Sequence, residues 1–458
     1  MAIRESKRIP GPARQVVSAG DLLLALALCG AVLAGCSLPI PFTRTPPPPT
    51  AEETQQVPQP SPRPTETPAV LSTPTVAEPL TVTIWTAPYF APGVESEAQR
   101  LLAAHSKSFA EQHSEYALDW VVKPASGPGS LVEFMRSAQE VAPAILPDLA
   151  VIRLEDLPAV SQAGLLQPMD ELLAEDARAD LFPFARSAAQ IENQWYGVPF
   201  AADIEHLIYN TTRVDAPPLT WSDVLSDSIP YAFPAGGRDG GVNDAFLIQY
   251  LALGGRLSNE RGLPVLDPEP LAQVLSFYES LRRQGLSPAG ILELRTAEEA
   301  LSVYIGGDAD ICNVRSDLYL AHRSELRNTS FATIPTWNGS VATVGRPLAF
   351  VLLATDPPRQ AAAERLVTWF IEPERNVAWT RAAGHLPVRD SLMDMWSSDD
   401  NYANFARWQL ESAFHVPAGP VYVRIYAALQ QAVREVLIGS ATPGDAARRA
   451  ASVAQGEG

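Results

Sequence analysis

The chain has 458 residues, of which 46% are hydrophobic and 19% charged, enough apolar material for more than one packed core. Its formal net charge is -18, which argues against a nucleic-acid binder, whose binding face would be basic. The three cysteines are Cys29, Cys36 and Cys312, so the body carries a single thiol and no internal disulfide. The six histidines are scattered without ligand spacing, so neither a metal nor another cofactor is expected.

Residues 1–36 read as an export leader. Arg4, Lys7, Arg8 and Arg14 precede an apolar run from Leu22 to Leu33. That run is shorter than the roughly 20 residues a membrane-spanning helix needs. It ends in Leu33-Ala34-Gly35-Cys36, which resembles a bacterial lipobox. The resemblance implies lipidation of Cys36 and a membrane anchor on the extracytoplasmic face. Residues 37–79 are rich in proline, including Pro46-Pro47-Pro48-Pro49, with threonine, serine and glutamine between. Such a segment has too little apolar surface for a core and reads as an extended tether.

Beyond residue 79 the pattern changes. Residues 80–85 (Leu-Thr-Val-Thr-Ile-Trp) alternate and predict a strand. A helix is expected over 95–113, a strand over 116–122, a helix over 131–140 and a short buried strand over 148–152. Alternating strands and helices predict an α/β sheet with crossover connections. Ligands of such sheets bind where strands give way to loops.

From Pro147 onward the chain carries a series of motifs. Pro147-Asp148-Leu149 leads through a helix to Gly164-Leu165-Leu166-Gln167-Pro168-Met169-Asp170. Trp195-Tyr196-Gly197-Val198-Pro199-Phe200 runs on to Tyr209-Asn210. Pro218-Leu219-Thr220-Trp221 opens a turn and helix. Gly307 and Ala309 precede a strand, Ile334-Pro335 precedes Gly345, Gly384-His385-Leu386-Pro387-Val388-Arg389 forms a turn, and Gly439 to Ala446 closes the series. Seven motifs in this order, over about residues 80–455, resemble the family 1 extracellular solute-binding proteins of ABC transporters, the maltose-binding type.

That resemblance implies a two-lobed periplasmic-binding-protein-like α/β fold of type II, with a hinge and an interlobe cleft. The first lobe is expected over 80–203 and 335–390, and the second over 204–334. Residues 391–458 are expected as helices mainly on the second lobe. Hinge crossings are expected near 201–206, near 333–339 and after Arg389. The implied partners are a small solute, a carbohydrate foremost, and the permease subunits of an importer. A monomer without catalytic activity is expected. A ligand-binding sensor, or a binder of a polyol, glycerol phosphate or polyamine, remains open. No hydrolase motif is present.

Sugar sites combine aromatic faces with carboxylate and guanidinium groups that take hydroxyl hydrogen bonds. The candidates are Trp85 and Tyr89 after the first strand, Glu155 and Asp156 after the third, and Asp203 in the crossing segment. Asn243 and Asp244 follow a glycine-rich loop. Arg315 and Ser316 follow a later strand, and Trp337 and Arg346 lie near the second crossing. Asp317 stands where some members of the resembled family carry tryptophan, which sets this chain apart from a simple maltodextrin binder. Trp221 is expected to be structural.

Overall fold

The computed structural model describes residues 78–237, 241–396 and 401–456. The leader, the lipidation candidate Cys36 and all but the end of the tether lie outside the described residues. The described part forms one compact unit.

Its strands are β1 (Leu80–Thr86), β2 (Tyr116–Val122), β3 (Leu149–Arg153), β4 (Gln190–Ile191), β5 (Gln194–Trp195) and β6 (Val198–Asn210). They continue as β7 (Tyr231–Ala232), β8 (Ile311–Arg315), β9 (Thr329–Ala332), β10 (Thr343–Leu352) and β11 (Ala413–Phe414). The main sheet runs β2-β1-β3-β10-β6-β8-β7, with β9 added on β6 and β11 on β10. β1 is parallel to β2 and β3, as the alternating strand and helix pattern predicts. The expected helix over 95–113 is observed as Glu97–Gln112. A reciprocal cap between Ser96 and Gln99 fixes its start. Thr220 with Asp223, and Thr296 with Glu299, start two later helices in the same way.

Two strands join the lobes. From Val198 to Ile204, β6 pairs antiparallel with β10 in the first lobe. From Glu205 onward it pairs with β8 and, from Leu207, with β9 in the second. β10 makes the return, beginning beside β11 at Thr343 and ending beside β3 at Leu352. The first lobe's core holds Ile84, Leu102, Phe109, Leu149, Phe200 and Phe350. Phe90 lies at its centre, 4.8 Å from Trp379 and 5.0 Å from Phe200, ring to ring. The second core holds Leu207, Tyr231, Phe246, Tyr250, Leu271 and Tyr278. The helix Pro420–Ile438 contributes Leu429 and Val433, and Pro443–Gln455 contributes Ala447.

The structure moves one of the expected boundaries. Ile334, Ala342 and Val344 pack in the second core, so the chain returns to the first lobe at Gly345 and not near 333–339. Thr336 explains the delay. Its N–H donates to the Leu219 carbonyl and its own carbonyl accepts from Trp221 N–H, tying the segment to the second lobe. The C-terminal region begins on the first lobe and continues on the second. Leu392, Met393 and Trp396 pack with first-lobe residues, whereas Tyr402 packs on His206, Tyr319 and Phe331, and the two last helices pack in the second cluster. Trp221 stacks on Phe277 at 4.8 Å and donates its Nε1–H to Gln249. Cys312 on β8 is fully buried, its Sγ 3.1 Å from the Asn313 carbonyl, and burial pushes its thiol pKa up.

Candidate ligand-binding site

The point where β6 changes partners concentrates charge. Asp203 and Glu205 are two residues apart on one strand, so they share a face of the sheet. Arg346 is directly opposite Asp203 across the β10 ladder, and Arg315 directly opposite Glu205 across the β8 ladder. Facing residues of an antiparallel pair project to the same side. Strand register alone therefore gathers two carboxylates and two guanidinium groups where the lobes meet.

The turns around this floor add more. Glu155 and Asp156 lie in the single turn of tight helix that follows β3, and Asp244 begins the helix Asp244–Ala252 of the second lobe. Arg346 Nη1 donates to Glu155 Oε2 at 2.8 Å, and its Nε donates to Asp244 Oδ2 at 2.9 Å. Its Nη2 donates to the other Asp244 oxygen, completing a two-pronged pair. Arg315 is held in the same manner by Asp317, at 3.0 and 2.9 Å, and reaches Glu298 at 3.1 Å. Asp317, marked in the sequence as a departure, thus serves as the counter-charge of Arg315.

Two carboxyls are pushed toward neutrality. Burial raises Glu205 to about 8, with Asp244 adding to the shift. Burial raises Asp156 to about 7, with neighbouring Glu155 adding and Arg153 opposing. Asp203 behaves differently. Burial alone would raise it, but the charge and hydrogen bond of His385 at 2.7 Å hold it below its ordinary value. The same contact raises His385 against its own burial. One Asp203 oxygen, Oδ2, is buried without a hydrogen-bond partner among the described residues.

A family model described as bacterial extracellular solute-binding protein matches residues 107–405, well over half of the chain. The chain belongs to that family. This solute-binding protein is 23% identical over 305 residues to the maltotriose-binding protein of Pyrococcus abyssi (strain GE5 / Orsay). That match covers 64% of this chain and 66% of the relative. Its fold is similar to that of a cyclic alpha-maltosyl-1,6-maltose binding protein from Arthrobacter globiformis, with a TM-score of 0.68 and 17% identity. The likeness covers 83% of this chain and 99% of that one. A similar match joins it to an ABC transporter solute-binding protein from Thermotoga lettingae TMO bound with alpha-D-tagatose, with a TM-score of 0.65 and 20% identity. That likeness covers 83% of this chain and the whole of the other. The maltose-binding type of two-lobed fold expected from the motifs is thereby the fold of this solute-binding protein.

Among the residues singled out from sequence, Glu155, Asp156, Asp203, Asp244, Arg315 and Arg346 come together around the crossing. Tyr89 stands beside them, its ring 5.3 Å from the Arg153 guanidinium and its hydroxyl on the Val151 carbonyl. Ser316 is fully buried and accepts the Ile204 backbone N–H, a supporting position. The Asn243 amide is committed to the Arg295 carbonyl. Trp337 is half exposed on a second-lobe loop and makes no ring contact among the described residues. Trp85 is not part of the cluster. Its strand continues through Thr86, so its ring packs on Phe134 at 5.3 Å instead of standing on a loop. There it borders a separate first-lobe cavity of about 890 Å³ with Thr83, Asp148 and Arg359. Sequence reasoning missed Glu205, His385 and Tyr426. Glu205 was legible as the second same-face residue after Asp203. Tyr426, whose hydroxyl donates to the Pro417 carbonyl near Arg346, carried no local signal.

Proposed function

We propose that this protein binds a sugar or oligosaccharide between its lobes and delivers it to the permease of an ABC importer. The observation that carries the reading is the mixed carboxyl set at the hinge. At neutral pH Asp203 is an ionised acceptor, while Glu205 and Asp156 hold protons over part of the range and can donate. A sugar hydroxyl both donates and accepts, so such a floor matches polyhydroxyl chemistry. The relatives described as binding maltotriose, a cyclic maltosyl-maltose and tagatose support the ligand class. Calorimetric titration and thermal-shift measurement against maltose, maltotriose, tagatose and a wider carbohydrate panel test it. A saturating sugar at about 1,000 times its Kd stabilises the fold by about 4 kcal/mol. A response confined to non-sugar solutes overturns the ligand class.

The reading extends to the leader. Leu33-Ala34-Gly35-Cys36 supports lipidation at Cys36, and the family description supports an extracytoplasmic location. No helix among the described residues is long and apolar enough to cross a membrane. Growth with a clickable fatty acid should label the wild type and leave Cys36→Ser unlabelled. Equal labelling of both removes the anchor from the proposal. The protein is read as a monomer that binds without catalysis, the family being one of binding proteins.

A further inference from the structure

We propose that the first-lobe cavity beside Trp85 is a second binding site, separate from the cleft, and that it takes a neutral, hydroxyl-rich solute. The inference does not rest on the cleft reading. The cavity measures about 890 Å³, within the range of roughly 300–1,000 Å³ that encloses small-molecule ligands. It lies at the far end of the first lobe. β10 leaves the crossing at Arg346 and brings Leu353 to the cavity wall, roughly 20 Å further on at the rise of an extended strand.

Strand register builds the floor. Thr83 faces Asp119 across the β1–β2 ladder and Trp85 faces Val121, with Lys123 two residues beyond. These five side chains share one face of the sheet and line the cavity. An ion pair fixes one end. Arg359 Nη1 donates to both Asp148 oxygens, at 3.1 and 2.9 Å, and to the Thr81 carbonyl at 3.1 Å. Asp148 also accepts the Thr83 backbone N–H at 2.9 Å. Aromatic rings fix the other end, where Lys123 Nζ lies 3.7 Å from the centre of the Phe134 ring and 5.3 Å from that of Trp85.

Between these ends the cavity keeps unused hydrogen-bonding capacity. The Thr83 hydroxyl, the Asp119 carboxyl and the Gln139 and Gln167 amides all line it. None of these four side chains bonds to another group among the described residues. A solute hydroxyl both donates and accepts, so it can pair with each of them in turn. An apolar solute filling the same space would leave them unpaired, at a cost for each. Acidic and basic side chains are interspersed around the cavity, Asp119, Asp148 and Asp356 with Lys123 and Arg359. It therefore has no wall of one sign to select an ion. Ile145, Leu146 and Pro147 supply an apolar side for the C–H face of a ring.

Fluorine NMR of the full chain grown with 5-fluorotryptophan tests the site. Trp85→Phe identifies the Trp85 signal, and Phe134→Leu, which removes the ring beside it, identifies it a second time by a shift. The chain is titrated with glucose, tagatose, maltose and maltotriose, and with citrate and spermidine as charged controls. At least one sugar should move the Trp85 signal. Asp119→Ala and Gln139→Ala, both outside the core, should each raise the midpoint of that movement about tenfold, the factor that one or two hydrogen bonds supply. A Trp85 signal that no sugar moves overturns the site. So does a midpoint unchanged in both variants, because the movement is then transmitted from elsewhere. A response to the charged controls alone overturns the ligand class. If the cleft reading alone fails, the Trp85 movement and its dependence on Asp119 persist.

Discussion

Asp203 and His385 are both buried and 2.7 Å apart, which makes their protonation a matter of stability as well as of binding. His385 has a folded pKa above its ordinary 6.5, so its contribution is complete below that value and is lost as pH rises through the raised one. Asp203 is shifted down from 3.8, so its contribution is present above that value and is lost as pH falls through the lowered one. The ion pair therefore stabilises the fold between the two limits. His385→Asn should cost about 3–5 kcal/mol at pH 6, the penalty for leaving a buried charge without its partner. Urea denaturation at pH 6 and at a series of rising pH values checks this: the gap between wild type and variant should narrow as pH passes the raised His385 value. A constant gap would show that the contact is not ionic. Of this pair, Asp203 was legible from its spacing in the crossing motif. His385 lay inside another motif 182 residues away, and only the fold joins them.

At the scale of the element, β6 has to exchange one neighbour for another without leaving its backbone unpaired. The exchange falls between Ile204 and Glu205, and side-chain hydroxyls bridge it. Ser316 accepts the Ile204 N–H at 3.2 Å. Thr343 accepts the Glu205 N–H at 3.1 Å and donates to the Glu205 carbonyl at 2.6 Å. Thr343→Val keeps the shape and removes both bonds, leaving buried backbone groups unsatisfied. It should cost about 1–3 kcal/mol in chemical denaturation, and a loss near zero would mean that the strand re-pairs by itself. The existence of the crossing was implied by the resemblance of the motif that runs from Trp195 to Asn210. The point of exchange was not, because the hydroxyls that mark it come from positions 112 and 138 residues away. The later crossing was misplaced for a related reason. The sequence motif Ile334-Pro335 marks a turn, whereas the Thr336 bridge to Leu219 and Trp221 decides which lobe that turn belongs to.

At the scale of the whole molecule, the chain passes between lobes on β6, on β10 and again ahead of Tyr402, so neither lobe is one continuous stretch of sequence. Shared strands tie the two cores to each other. Calorimetry of the ligand-free protein should show one cooperative transition; two separated transitions would mean that the lobes melt independently. The fold as a whole was readable because seven ordered motifs mark its turns and crossings. The aromatic expectation fared differently: Trp85 went into a first-lobe wall, since a residue within a strand obeys the sheet's alternation before it can serve a cleft.

Cys312 gives the molecule a built-in clock. Maturation at Cys36 would remove Cys29 with the leader and cap Cys36, leaving one thiol, sealed in the central sheet beside Asn313. A thiol reagent in solution then reacts only as often as the second lobe opens. The rate of that modification counts excursions from the native state, with no label added.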